Sequence, residues 1–483
     1  MKIKQIFAVL AVSASLMSCN FLDEFDPNAT TAGNFYTSEA DIETSLNGVY
    51  QSLAQSYYYQ YNYYFTDVRA HVTVVTDSGA SSGIPYQFYN YTLTEENVYV
   101  YNRYSQLYKI ISRANTLFAH LGDVSYATPS ARDTYEAEAR FLRALSYYWL
   151  VTEWGDVPLV LKVLESTEEV RANNYRRPKA EIYQAIFDDL KYVTESPLLD
   201  VQPASACGKV SKAAAWALWG KALLQQACDE DFIGSKSELL GQAIGKLTAA
   251  WDLRKFGELS SVSYSSVWDL STQKSCAENI FQVNYIQGNA DLGSVWNYMY
   301  GPEGAGVTSQ RKGEMQNVTI QAVYDSFEPG DVRRSFLRAT NKAGQTYYHT
   351  MKYADLECGA NGYGGNNWIV LRYADVALML AEAYYWSKEE TLAKIWLNKV
   401  RERAGLGDWS GSDLRQGIYD ERLHEFMQEG LRWQDLLRMY DRMEHFSAIN
   451  SNFSLKDLLL PIPYNERILN PEGLYQNPGY GSN

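Results

Sequence analysis

Ala213-Ala214-Ala215-Trp216-Ala217-Leu218-Trp219-Gly220-Lys221-Ala222 puts small side chains on one side of a helix and large ones on the other. That texture lets a second helix approach closely. Two further stretches share it: Ala137-Glu138-Ala139-Arg140-Phe141-Leu142-Arg143-Ala144-Leu145 and Ala374-Asp375-Val376-Ala377-Leu378-Met379-Leu380-Ala381-Glu382-Ala383. Apolar residues also recur at helical spacing in Ile42, Leu46, Val49 and Leu53, and in Leu107, Ile110, Ile111, Ala114, Leu117 and Phe118. The spacing predicts helices over about 132–154, 179–195, 211–228, 236–251, 372–387, 389–404 and 416–440. Each textured stretch adjoins another helical segment, so helix–turn–helix pairs of tetratricopeptide type are expected. An irregular helical bundle is the alternative.

Residues 261–370 read differently. They hold 12 of the 32 glycines, many Asn, Ser and Tyr residues, and no sustained helical period. Long irregular segments are commonly functional or disordered, and the aromatic content here favours order. The expected fold is mostly α, with a loop-rich lobe inserted between helical halves. Its boundaries are expected at 36–260 for an N-terminal helical region with tyrosine-rich loops, 261–370 for the lobe and 371–483 for a C-terminal helical region.

The N-terminus starts with Lys2 and Lys4, continues through an apolar run from Ile6 to Leu16, and reaches Leu16-Met17-Ser18-Cys19. A basic start, a short apolar core and small residues before a cut form a secretory leader, here 1–18. The run is too short for a spanning helix, which needs about 20 apolar residues. Leu16 to Cys19 resembles the bacterial lipobox, which makes Cys19 the expected lipidation site and residues 19–35 an acidic tether. Two or more acyl chains hold a protein stably at a membrane.

Composition narrows the function. A net charge of −14 argues against nucleic acid, whose phosphates demand a basic face. Export permits disulfides, but Cys207 and Cys228 flank a helix about 25 Å long, and a disulfide needs Cα atoms within about 7 Å. The state of Cys207, Cys228, Cys276 and Cys358 is otherwise open. His424-Glu425-Phe426-Met427-Gln428 carries Gln428 where an HExxH zinc motif needs its second histidine. Asp229-Glu230-Asp231 lacks oxygen ligands where a calcium loop needs them. The histidines at 71, 120, 349, 424 and 445 form no visible nucleophile–base pair. No catalytic residue, metal site or cofactor is expected, though calcium in the lobe stays open. Arg422, Glu425, Glu429 and Arg432, spaced by three and four, read as one helix face and a structural ion network.

Tyrosine is the unusual residue. Of 39, 13 lie between Tyr57 and Tyr108. Tyr57-Tyr58-Tyr59-Gln60-Tyr61-Asn62-Tyr63-Tyr64 and Tyr86-Gln87-Phe88-Tyr89-Asn90-Tyr91 interleave flat rings with amides, as does Trp296-Asn297-Tyr298. A sugar ring has an apolar C–H face for an aromatic ring and a hydroxyl edge for amides and charges. Peptides suit the same chemistry.

Several blocks together resemble the SusD/RagB family of outer-membrane nutrient-binding lipoproteins. They are Cys19-Asn20-Phe21-Leu22-Asp23, Glu138 to Ala144 with Trp154-Gly155-Asp156-Val157-Pro158-Leu159, Gly208 to Ala214, and Leu371 to Asp375. Glu421-Arg422-Leu423-His424-Glu425-Phe426 with Glu429-Gly430-Leu431-Arg432-Trp433 and Asp435-Leu436 is the most specific, and Leu460-Pro461-Ile462-Pro463 with Gln476-Asn477-Pro478-Gly479-Tyr480 closes the series. The resemblance implies tetratricopeptide-like helix pairs forming a scaffold with an inserted loop-rich ligand-binding lobe, in a surface lipoprotein that delivers a glycan, or alternatively a peptide, to a SusC-like TonB-dependent transporter in the outer membrane. Its blocks fall on scaffold positions, so no ligand residue transfers by motif. The candidates for ligand contact, chosen for chemistry and place in the chain, are Asp67, Arg69, Tyr86, Tyr89, Trp296 and Tyr298. An anchored glycoside hydrolase and a protein-binding helical scaffold are the competing readings.

Overall fold

A computed structural model describes residues 35–76, 83–439 and 441–481. The expected leader, Cys19 and the tether up to residue 34 lie outside the described residues. No helix among the described residues is long and apolar enough to cross a membrane.

The helices run in series: α1 Glu39–Gln51, α2 Val98–His120, α3 Ala131–Trp154, α4 Lys179–Glu195, α5 Lys212–Ala227, α6 Lys236–Asp252, α7 Tyr373–Trp386, α8 Glu390–Arg403, α9 Leu414–Glu425 and α10 Arg432–Met439. From α2 to α8 each helix packs on the next, which makes the scaffold a stack of tetratricopeptide-like pairs. Capping side chains fix where several begin. Ser211 accepts from the Ala214 N–H, Ser235 from Glu238 and Asp413 from Gln416, each relieving an unpaired helix-end donor. The α5–α6 pair shows what the small residues accomplish: a Cβ on Gly220 would sit 2.5 Å from Leu247 Cγ.

The sequence pattern runs α9 and α10 together as one helix to 440, and the structure divides them. Gln428 and Gly430 both take positive φ, at 62° and 73°, which no α-helix accommodates. The face expected from Arg422, Glu425, Glu429 and Arg432 therefore does not exist. An ion network does, but it joins only three of the four to partners elsewhere. Arg422 pairs with Asp375 and Asp435, each at 2.8 Å. Glu425 meets Arg333, Arg372 and Arg403, and Glu429 meets Arg372 and Lys352. Arg432 donates to the Tyr419 carbonyl and lies over that ring.

The segment between α6 and α7 carries most of the strands. β2 (Asn279–Val283) and β6 (Trp368–Arg372) pair antiparallel near its two ends. A second sheet has the order β1 (Thr73–Val74), β3 (Val318–Ile320), β5 (Gln345–Thr350) and β4 (Leu337–Lys342), antiparallel throughout. Ala343 and Gly344, at φ 52° and 82°, make the two-residue turn between β4 and β5, the geometry that matches strand twist. Through β1 this sheet binds the tyrosine-rich N-terminal stretch to the lobe. The C-terminal segment closes on the end of α3, where the Leu460 N–H donates to the Glu153 carbonyl (2.7 Å) and the Asn477 amide to the Trp154 carbonyl (3.0 Å). One hydrophobic cluster extends from Ile42 to Tyr480.

Candidate functional site

The backbone between α1 and α2 includes two π-helical turns, Ser56–Gln60 and Tyr64–Val68. Such turns are rare and gather at functional sites. Here they sort the tyrosines. Tyr58, Tyr59, Tyr63 and Tyr64 are buried, while Tyr57 and Tyr61 stay half-buried at the surface. Tyr57, Tyr61 and the half-buried Tyr99 of α2 form a triangle of rings, with centroids 5.2, 5.6 and 5.4 Å apart. Burial, then the neighbouring Tyr57, pushes the Tyr61 hydroxyl above its ordinary value, and burial pushes Tyr99 up to about 12. Both phenols are neutral at physiological pH.

Close to Tyr61 of this triangle is a polar set from the lobe. The Arg311 guanidinium lies 3.8 Å from the centre of the Tyr298 ring and pairs with Glu314 at 2.8 Å. Glu314 also accepts from Gln316 (2.7 Å), whose carbonyl accepts from the Tyr63 hydroxyl (2.5 Å). The Glu314 charge acts on both Tyr61 and Tyr298. Half-buried rings, a guanidinium and a carboxylate thus lie near one another, linked through Tyr61 and Glu314. Arg311 and Glu314 are not among the sequence candidates. Their one signal in the sequence is a charge pair at i and i+3 inside a glycine-rich loop, which is weak.

A second ring cluster adjoins β1. Tyr86 and Tyr89 stack at 5.0 Å and 19°, and Tyr89 stacks on His71 at 4.0 Å. Tyr347 of β5 is close enough to raise both phenols further after burial has done so. Burial lowers His71 to about 4, so that ring is neutral.

The six sequence candidates divide accordingly. Tyr86 and Tyr89 remain half-buried and stacked. Tyr298 is 7% exposed, covered by Arg311. Asp67, Arg69 and Trp296 depart from the expectation of ligand contact. At 1%, 0% and 1% exposure they are sealed in the interior and cannot meet a ligand from solvent. Arg69 donates to the Asp457 carbonyl and lies 3.9 Å over Trp433. Trp296 packs between Tyr285 and Trp368, with centroids at 4.9 and 4.8 Å.

The remaining motifs have structural partners. His424 hydrogen-bonds Ser326 at 2.9 Å, and burial drives it down to about 3. Lys179 occupies the Asp229–Asp231 turn, 2.6 Å from Asp229. Cys207, Cys228, Cys276 and Cys358 are all free thiols. No cluster able to hold a metal ion occurs among the described residues.

Two family models match the chain. One, described as starch-binding associating with outer membrane, matches residues 20–224, and the other, described as the SusD family, matches 296–480. SusD-like protein P2 of Formosa agariphila is 28% identical, covering 99% of this chain and all of that one. A solved laminarin binding SusD-like protein is 26% identical with a TM-score of 0.75, over 92% of this chain and 100% of its own. The surface glycan-binding protein A from Bacteroides thetaiotaomicron, solved in complex with laminarihexaose, shares 20% identity and a TM-score of 0.76, over 91% of this chain and 99% of its own.

Proposed function

From its membership of the SusD family, to which the chain belongs, we propose that this protein is a non-catalytic, lipid-anchored surface protein that captures an oligosaccharide and passes it to a SusC-like TonB-dependent transporter of the outer membrane. The observation that carries the glycan reading is the ring triangle Tyr57–Tyr61–Tyr99, with Glu314 and its partner Arg311 close to Tyr61. Its rings can cover the C–H face of a sugar, and its charged pair can meet the hydroxyl edge. Tyr86, Tyr89 and Tyr347 supply a second stacking surface for a longer chain. The laminarin binding relative and the laminarihexaose complex support the same ligand class. Cys19 supplies the anchor.

The test is calorimetry of the mature chain against laminari-, cello-, xylo-, manno- and maltohexaose and against tetra-alanine. At least one hexaose is expected to bind, and Tyr61→Ala should weaken it tenfold or more, equivalent to about 1.4 kcal/mol. Binding of the peptide alone would move the reading to peptide capture. Reducing ends released from a polysaccharide by the purified protein would make it a hydrolase instead. In cells, radiolabelled palmitate should enter the wild type and not Cys19→Ala.

A further inference from the structure

We propose that the lobe holds a second, separate site, a cleft of about 880 Å³ that takes a short stretch of a neutral saccharide chain. The inference rests on the glycan-binding reading above. The cleft falls within the roughly 300–1,000 Å³ of small-molecule sites. It opens where residues 265–274, 285–287 and 351–357 meet.

One carboxylate shapes it. Asp355 is 1% exposed, and it accepts from the Gln287 amide (2.8 and 2.9 Å), the Gly365 N–H (2.8 Å) and the Glu357 N–H (3.0 Å). Its own N–H donates to the Thr308 carbonyl at 2.8 Å. A buried charge satisfied this fully holds three segments in fixed relation, so the cleft is formed before any ligand arrives.

Its lining selects the ligand class. Ile286 and Leu356 come from different segments and stand 53% and 46% exposed, which gives the cleft aliphatic surface beside the ring of Phe336. Around them are the carboxylates of Asp269 and Glu357, the Gln287 amide and a single ammonium, Lys274. Hydrogen bonds from the Ser271 hydroxyl and N–H hold the Asp269 carboxyl below its ordinary value, so it stays an acceptor. Negative charge outnumbers positive. An anionic ligand is repelled and a purely apolar one leaves the carboxylates unanswered. A sugar donates its hydroxyl protons to them and lays C–H groups on Ile286 and Leu356.

The cleft also shares a wall with the tyrosine site. The loop from Asp355 to Gly365 lines the cleft and then turns its Gly362 against the other site. A Cβ on Gly362 would lie 2.7 Å from Arg311 Cβ and 2.8 Å from Tyr298 Cδ1.

The experiment titrates the mature chain with the trioses and hexaoses of the same five sugars. It compares the wild type, Tyr61→Ala and the double variant Ile286→Ser/Leu356→Ser, whose side chains are exposed and whose thermal unfolding should match the wild type. The proposal expects two trioses per wild-type chain, one in each variant, and at least a tenfold loss of hexaose affinity in the double variant. One triose per wild-type chain, lost in Tyr61→Ala and unchanged in the double variant, overturns the cleft and leaves the main reading standing. Cleft-dependent binding of tetra-alanine with no saccharide in the cleft overturns the ligand class. No saccharide bound by the wild type sinks both readings.

Discussion

Asp67 lies in the interior, and burial pushes its carboxyl up to about 7 against the pull of the Gly430 N–H, the Asn317 side chain and Lys352, with Glu429 adding to the rise. The folded chain therefore keeps this proton at pH values where the unfolded chain, near 3.8, has released it. The stability this supplies is complete below 3.8 and drains away as pH climbs through about 7. At about 1.4 kcal/mol per pH unit, the whole effect is on the order of 4 kcal/mol. Asp67→Asn, which keeps the neutral shape, should resist urea better than the wild type at pH 8 by up to that amount and show little difference at pH 4. An equal gap at both pH values would show that ionisation is not the cause. The same residue shows why the site was only partly legible. Asp67, Arg69 and Trp296 carry polar and aromatic groups of the kind that contact ligands, but burial is decided by distant partners such as Asp457, Trp433 and Trp368. Tyr57 and Tyr61 were legible as a composition and not as a surface, because π-helical turns follow neither the 3.6-residue nor the 2-residue period by which faces are read.

At the scale of elements, the small-on-one-side texture of α5 stated the fold correctly, since it reports a local requirement that any packed helix pair must satisfy. Gly220 is the tightest point of that pair. A methyl group there would lie 2.5 and 2.7 Å from Leu247 Cγ and Cδ2, and 3.2 Å from the Leu247 backbone nitrogen. Helix propensity favours alanine over glycine by about 1 kcal/mol, whereas overpacking costs about 1–3 kcal/mol. Backbone cannot step aside as a flexible side chain can, so overpacking wins. Gly220→Ala should lower the urea midpoint. Gly245→Ala, on exposed α6 surface with nothing within 4 Å of its Cβ position, should raise it. If both substitutions stabilise, α5 and α6 are not packed as described. The break between α9 and α10 was less legible, because the charged residues continue at helical spacing straight through it. Gly430 marked the place, but a lone glycine inside a helical pattern is tolerated often enough to be passed over.

Across the whole molecule, the lobe is fastened to the helical scaffold by buried charge. Arg333 and Lys352 come from the lobe, Arg372 from the end of β6, Arg403 from the end of α8, and they meet Glu278, Glu421, Glu425 and Glu429 with side chains at most 5% exposed. Glu425 stands at the centre, touching three guanidiniums, which outweigh its burial and hold its carboxyl well below the usual range. The sign of its pH effect is opposite to that of Asp67: its contribution is present above the ordinary value of 4.5 and lost as pH falls toward the folded value. A buried pair replaced whole can be neutral, but a buried pair broken on one side strands the other charge, at about 3–5 kcal/mol. Glu425→Gln leaves Arg333, Arg372 and Arg403 short of one negative charge. It should cost that order of stability at pH 7, read from the urea midpoint, and should open the lobe before the scaffold, so that limited proteolysis cuts first between β2 and β6. Glu169→Gln, which breaks the exposed pair with Lys162, should change neither measurement, since solvent already screens it. Early cuts in α2 to α6 of Glu425→Gln would mean that the network stabilises the scaffold itself and that the lobe is held by its strands alone.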